Sequence, residues 1–165
     1  MAADGTYERL IALLDEHGAT YRLIDHSPEG RTDIVSPMRG NELNKAAKCM
    51  IMIAKLGKKT TKYVLGVIPG DRRLNLPAVK ALLNATYVSF ASADVAERLA
   101  GSTVGTVLPF AFNPELDLIA DPSLRQADEL FFNAARLDRS VALNTEDYFA
   151  IASPRIEHIA EAPES

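Results

Sequence analysis

Apolar positions at helical spacing open the chain. Leu10, Leu13 and Leu14, with Ile11 beside them, predict an amphipathic helix over residues 6–17, closed by Gly18. Residues 21–24 then read as a short strand. From 25 to 44 the pattern dissolves into proline, glycine and polar residues, with room for one short helix over 33–39. A connection of that length is often functional. The apolar run 46–54 is the strongest strand candidate. A basic turn at 58–62 and a second apolar run at 63–68 make it one arm of a hairpin at the centre of a sheet.

The second half alternates in the same way. Residues 75–83 predict a helix with Pro77 in its first turn, where proline is tolerated. Residues 87–90 are strand-like, and Ser92 caps a helix to residue 99 that Gly101 closes. A loop follows over 102–114, holding two prolines and Gly105. Strands are expected at 116–120, 129–134 and 140–143, the last two around a turn at 137–139. A final helix over 145–152 is capped by Asn144 and stopped by Pro154, and the polar tail beyond is expected to fray. Strands and helices mix without strict alternation, which predicts an α+β fold with a mixed central β-sheet flanked by helices. With no repeat or linker, residues 1–165 read as one domain with its core at about 7–153.

Composition narrows the classes. The hydrophobic fraction of 47% and charged fraction of 24% are ordinary for a globular chain. No apolar run reaches the roughly 18 residues of a membrane span, and the first seven residues lack the basic and apolar regions of a signal peptide. The one cysteine, Cys49, has no partner for an internal disulfide, which fits a reducing, cytoplasmic setting. Net charge is −4, yet residues 31–80 hold eleven Lys or Arg against three acids, a local +8. Such a segment attracts phosphates if its charges gather in space, and is a solvated face if they do not.

Two features could carry chemistry. Lys48 lies in the apolar run and shares a strand face with Met50 and Met52, while Cys49, Ile51 and Ile53 line the other. Both faces are apolar, which predicts a central strand covered on both sides. A lysine there is either a cationic arm at the floor of a cleft or a strand-start residue whose head snorkels to water. The second feature is Gly105-Thr106-Val107-Leu108-Pro109, a G-x-x-x-P loop. It is either an ordinary connection or a source of backbone N–H donors for an oxyanion. No P-loop, H-E-x-x-H or C-x-x-C motif is present, and His17, His26 and His158 lie far apart. Cys49 reads as core, and His26 ends a strand beside the polar loop.

Taken in order, these residues resemble the YbaK/prolyl-tRNA-editing domain family. Lys48 stands at the head of a buried strand, residues 105–109 match the family's G-x-x-x-P loop and run into Phe110, and Phe131-Phe132-Asn133-Ala134-Ala135-Arg136-Leu137-Asp138 resembles its terminal hairpin. The resemblance spans roughly residues 7–153. The family usually has glycine where Ala135 stands, a change that would narrow the site or alter the hairpin. Residues 26–40 look most like the YeaK-type subgroup, associated with clearing serine and threonine from mischarged tRNA. Other subgroups clear alanine or cysteine from the proline tRNA.

The resemblance implies a free-standing hydrolase of mischarged aminoacyl-tRNA, metal-free and without a cofactor, in which water attacks the ester with help from the substrate's own ribose hydroxyl. It implies catalytic roles for Lys48, Gly105 and Thr106, and substrate contacts from His26, Arg31, Arg39, Pro109, Phe110 and Asn133. The expected partner is the acceptor end of aminoacyl-tRNA, with an aminoacyl-tRNA synthetase as a further one. A non-catalytic tRNA- or synthetase-binding module and a hydrolase of another small ester are the competing readings.

Overall fold

A computed structural model describes residues 4–162. The first three positions of the leader reading, and the last three of the tail, lie outside the described residues. The elements run α1 (Asp4–Glu16), β1 (Tyr21–Asp25), α2 (Thr32–Arg39), β2 (Ala47–Leu56), β3 (Thr60–Pro69), α3 (Leu76–Leu83), β4 (Tyr87–Phe90), α4 (Ala93–Ala100), β5 (Leu116–Ala120), β6 (Glu129–Asn133), β7 (Arg139–Asn144), α5 (Thr145–Ala152) and β8 (Arg155–Ile156). The caps follow local chemistry. Asn75, Ser92 and Asn144 each accept a backbone N–H from the first turn of the helix they precede, and Gly101 ends α4 in the left-handed conformation.

The central sheet has five strands in the order β4-β2-β3-β5-β8, with β2 and β3 at its heart as an antiparallel hairpin. β5 joins β3 in parallel, which makes the sheet mixed. A second sheet, β1-β7-β6, is antiparallel throughout. It was not separable in the sequence, because strand patterns do not say which strands pair. The sheets meet at a parallel bridge between Ala46 and Phe131.

The alternation expected of β2, which β3 shares, places apolar residues on both faces. Ile51, Leu65 and Val67 join α1, α4, α5 and the second sheet in the larger core. Met52, Val64 and Ile68 pack with Val79, Leu74 and Ile159 in a smaller one. Ile159 corrects the expectation of a frayed tail and of a core ending near 153. It is fully buried, and its N–H and that of Ala160 donate to Asp121 Oδ2 at 2.9 and 2.8 Å. Asp121 sits between β5 and a short 3-10 turn, where it also caps Ser123. Burial alone would raise its carboxyl pKa. The hydrogen bonds from Ser123, Ala160 and Ile159 outweigh that and hold it below the ordinary value. No helix among the described residues is long and apolar enough to cross a membrane.

Candidate active site

The cleft lies where β2 runs past its neighbour. β4 pairs only with Met52 to Lys55, so the head of β2 keeps one edge free. A cavity of about 590 Å³ fills the seam between this edge and the second sheet. Ala47, Lys48, Cys49 and Met50 of β2 form its floor with Phe132 and Asn133 of β6. Thr32, Asp33, Val35 and Arg39 of α2 form one wall, Gly105 and Val107 the other, and Gly70 and Arg73 close one end. At a free edge both faces of a strand reach the same space. Cys49, expected in the core, therefore borders the cleft although it does face away from Lys48. Burial raises its thiol pKa well above the ordinary range, so at neutral pH it is no thiolate nucleophile.

Two cations shape the field. Lys48 is half-buried; its Nζ donates to Arg72 O at 3.3 Å and makes no ion pair among the described residues. Arg39 is only 7% exposed. Its Nε donates to Asn41 Oδ1 at 3.0 Å, Nη1 to Ser140 Oγ at 3.3 Å and Nη2 to Ser36 Oγ at 3.3 Å, all neutral acceptors. Burial lowers its pKa to about 10, which still leaves it charged at neutral pH. A buried charge with no counter-ion is costly, and an arriving anion offsets that cost. Arg31, at the exposed rim, is tied to Asp33 at 3.2 Å.

The glycine of the G-x-x-x-P loop has a geometric reason. Gly105 has φ +91, and a Cβ there would stand 2.8 Å from Gly30 Cα. Gly30 and Gly105 thus pack backbone to backbone and form one corner of the cleft. Asn133 clamps that corner: its Nδ2 donates to Glu29 O at 2.8 Å and to Gly105 O at 3.1 Å. Its Oδ1 accepts from Ser140 Oγ at 2.9 Å, and Ser140 Oγ lies 2.7 Å from His26 Nε2. With its amide engaged on both ends, Asn133 acts by positioning the loop.

Of the expected site residues, Lys48, Gly105, Arg31, Arg39 and Asn133 gather around the cavity. The other four, Thr106, His26, Pro109 and Phe110, do not border it. Thr106 is 1% exposed, and both its N–H and its Oγ1 donate to Thr103 O, at 2.9 and 2.6 Å. In the same loop Gly105 and Val107 line the cavity, and their N–H groups reach no acceptor among the described residues. Pro109 and Phe110 lie behind the wall, where Pro109 O accepts from Tyr148 Oη at 2.8 Å and Phe110 packs edge-on to Tyr148. His26 stands outside the cavity and is linked to it through Ser140, which contacts both Asn133 and Arg39. Sequence reasoning missed Gly30 and the edge position of Cys49, and had Arg73 only as part of the basic segment, because only pairing and loop packing bring them to the cleft.

The basic segment also divides. Arg31, Arg39, Lys48 and Arg73 border the cleft. Lys55, Lys58, Lys59 and Lys62 lie toward the other end of the β2–β3 hairpin, where Lys62 pairs with Asp117 at 3.8 Å. Lys55 is seven residues along β2 from Lys48, about 23 Å at strand rise. Among the described residues no three or more His, Cys, Asp or Glu side chains converge as metal ligands would.

Known proteins share this architecture. Residues 32–151 match the aminoacyl-tRNA editing domain. The chain is 38% identical over 152 residues to the multifunctional Ser/Thr-tRNA deacylase ProXp-y of Escherichia coli (strain K12), covering 92% of this chain and 90% of that protein. It is 29% identical over 126 residues to the proline–tRNA ligase of Caldicellulosiruptor bescii, covering 74% of this chain but 21% of the ligase. The crystal structure of hypothetical protein APE2540 superposes with a TM-score of 0.83 at 22% identity, covering 93% of this chain and 99% of that one. That of a candidate trans-editing enzyme for prolyl tRNA synthetase superposes with a TM-score of 0.78 at 18% identity, covering 95% and 98%. The chain belongs to the aminoacyl-tRNA editing domain family.

Proposed function

We propose that the protein hydrolyses the ester linking a wrongly attached serine or threonine to the terminal adenosine of a tRNA, acting in trans on the released aminoacyl-tRNA in the cytoplasm. The observation that carries this reading is the pair of cations without carboxylate partners, Lys48 and Arg39, on the cleft that also holds the unengaged N–H groups of Gly105 and Val107. Cations recognise the terminal phosphate, and N–H donors stabilise the oxyanion that develops as water attacks the ester carbonyl. The identity to a Ser/Thr-tRNA deacylase over 90% of that protein's length supports the choice of amino acids. Alanine or cysteine on the proline tRNA are the next substrates to test, and the kinship with proline–tRNA ligases makes a synthetase the natural companion.

The titratable side chains bordering the cavity leave no ready general base. Cys49 is neutral, Asp33 is engaged by Arg31, and the rest are Lys or Arg. That lining fits the water activation by the neighbouring hydroxyl of the substrate's terminal ribose that the family resemblance implies. Lys48 orients the ester against the Gly105–Val107 corner, and Asn133 keeps that corner in place.

Deacylation of tRNAs carrying serine, threonine, alanine or cysteine, by wild type and Lys48→Ala side by side, tests the proposal. Release of serine or threonine is expected, with kcat/KM about 10- to 100-fold lower in the variant, the worth of one charge-assisted hydrogen bond. Its melting temperature should stay close to wild type. No release from any tRNA would favour the binding-module reading, and turnover of small esters alone would favour a different hydrolase.

A further inference from the structure

Past Lys48 the main cavity continues in two directions, and Lys48 and Arg73 border both exits. One exit, about 380 Å³, is lined by three carboxylates, Asp33, Asp71 and Glu161, alongside Arg72. Asp71 Oδ1 is buried there without a hydrogen-bond partner. The other exit, also about 380 Å³, is lined by Met50, Leu74 and Phe90, with Glu161 its single carboxylate. Phe90 is 46% exposed although it is a large apolar ring at the end of edge strand β4. It pairs with Met52, so it shares a sheet face with Met50 and Lys48, and Met52 lies about 13 Å along β2 from Lys48.

A polynucleotide held at Lys48 has both of these neighbouring cavities within reach. Its phosphates gain no net attraction in the first, where three carboxylates offset Lys48, Arg72 and Arg73, whereas the second sets Lys48 and Arg73 against Glu161 alone. Its bases find a stacking surface in the second, since every base has a face that packs on an aromatic ring. We infer that the Phe90 shelf is a nucleobase subsite. The base of the nucleotide preceding the aminoacylated adenosine stacks on Phe90 against Met50 and Leu74, while Lys48 holds the phosphate that joins the two nucleotides. This assignment rests on the editing function proposed above and extends it from the reacting ester to the penultimate nucleotide.

The test compares Phe90→Ala and Phe90→Trp with wild type on two substrates, seryl-tRNA and the single nucleoside ester 3′-O-seryl-adenosine. Phe90→Ala should raise KM for seryl-tRNA about tenfold, the effect of losing one stacked base. It should leave kcat, and both constants for the nucleoside ester, within about twofold, while Phe90→Trp keeps the wild-type KM. An unchanged KM for seryl-tRNA, or an equal rise for both substrates, overturns the subsite. If wild type hydrolyses neither substrate, nor any tRNA carrying threonine, alanine or cysteine, the editing reading itself falls. Fluorescence anisotropy of a labelled, uncharged CCA trinucleotide then decides separately: binding weakened by Phe90→Ala upholds a nucleobase subsite, and binding that is absent or indifferent to Phe90 overturns it.

Discussion

At the scale of single residues, the legible positions were those whose chemistry clashes with their surroundings in sequence. Lys48 stands out because it interrupts an apolar run, and the cleft explains the interruption. Arg39 carries no such mark, since an arginine near a helix end is ordinary until burial and the lack of a carboxylate partner are seen. Ala135 stands where the family usually has glycine, and its consequence is conformational. It has φ 61, in the left-handed region, and it packs against the larger core without bordering the cleft. An alanine in that conformation costs about 1–2 kcal/mol, and glycine returns part of this through its greater freedom when unfolded. Ala135→Gly should therefore stabilise the protein by about 0.5–1 kcal/mol, a rise in melting temperature of about 1–4 °C. Calorimetry checks this, and deacylation should stay at the wild-type rate because the cleft is untouched.

At the scale of elements, capping and periodicity fixed nearly every helix and strand to within one or two residues, since those signals are local. Asn144 caps α5, and Ser92 and Gly101 bracket α4 as their residue types predict. The C-terminal segment escaped because its order depends on a distant carboxylate. Asp121 accepts the N–H groups of Ile159 and Ala160 and pins the tail to the far face of the central sheet. Its folded pKa is depressed, so its contribution is present above the unfolded value of about 3.9 and is lost as pH falls through the folded value. Asp121→Asn should cost about 1–3 kcal/mol at neutral pH. It should also flatten the fall in stability below about pH 4, as read from denaturant midpoints across an acid series. Amide exchange at Ile159 and Ala160 should quicken more than at β2 or β3.

For the whole molecule, the question was whether a basic stretch of chain is a basic patch. The hairpin answers by separating the two ends. Arg31, Arg39, Lys48 and Arg73 gather at the cleft, while Lys58 and Lys59 sit in the β2–β3 turn at the opposite end. The double variant Lys58→Glu, Lys59→Glu is therefore expected to change kcat/KM for seryl-tRNA less than about threefold at 150 mM salt, because charges beyond a Debye length of about 8 Å are screened. Affinity should still fall with salt, with a log–log slope of about −2 from two or three phosphate contacts to single-stranded acceptor-end nucleotides. Kinetics across a salt series measure both. A tenfold loss in the double variant would place the hairpin turn on the tRNA.

The sequence by itself determined the elements, their caps, the two-faced burial of β2 and the resemblance that placed Lys48 and Gly105 in a site. All of these rest on near neighbours in the chain or on short motifs kept in order. Only the tertiary structure decided that the strands form two sheets, that β2 keeps a free edge at their seam, and that Gly30 meets Gly105. It also decided that Thr106, Pro109 and Phe110 lie behind the wall, and that Val107 of the same loop lines the cavity. These outcomes depend on which distant segments pair and on which hydrogen bonds are already taken, and residue periodicity carries no record of either.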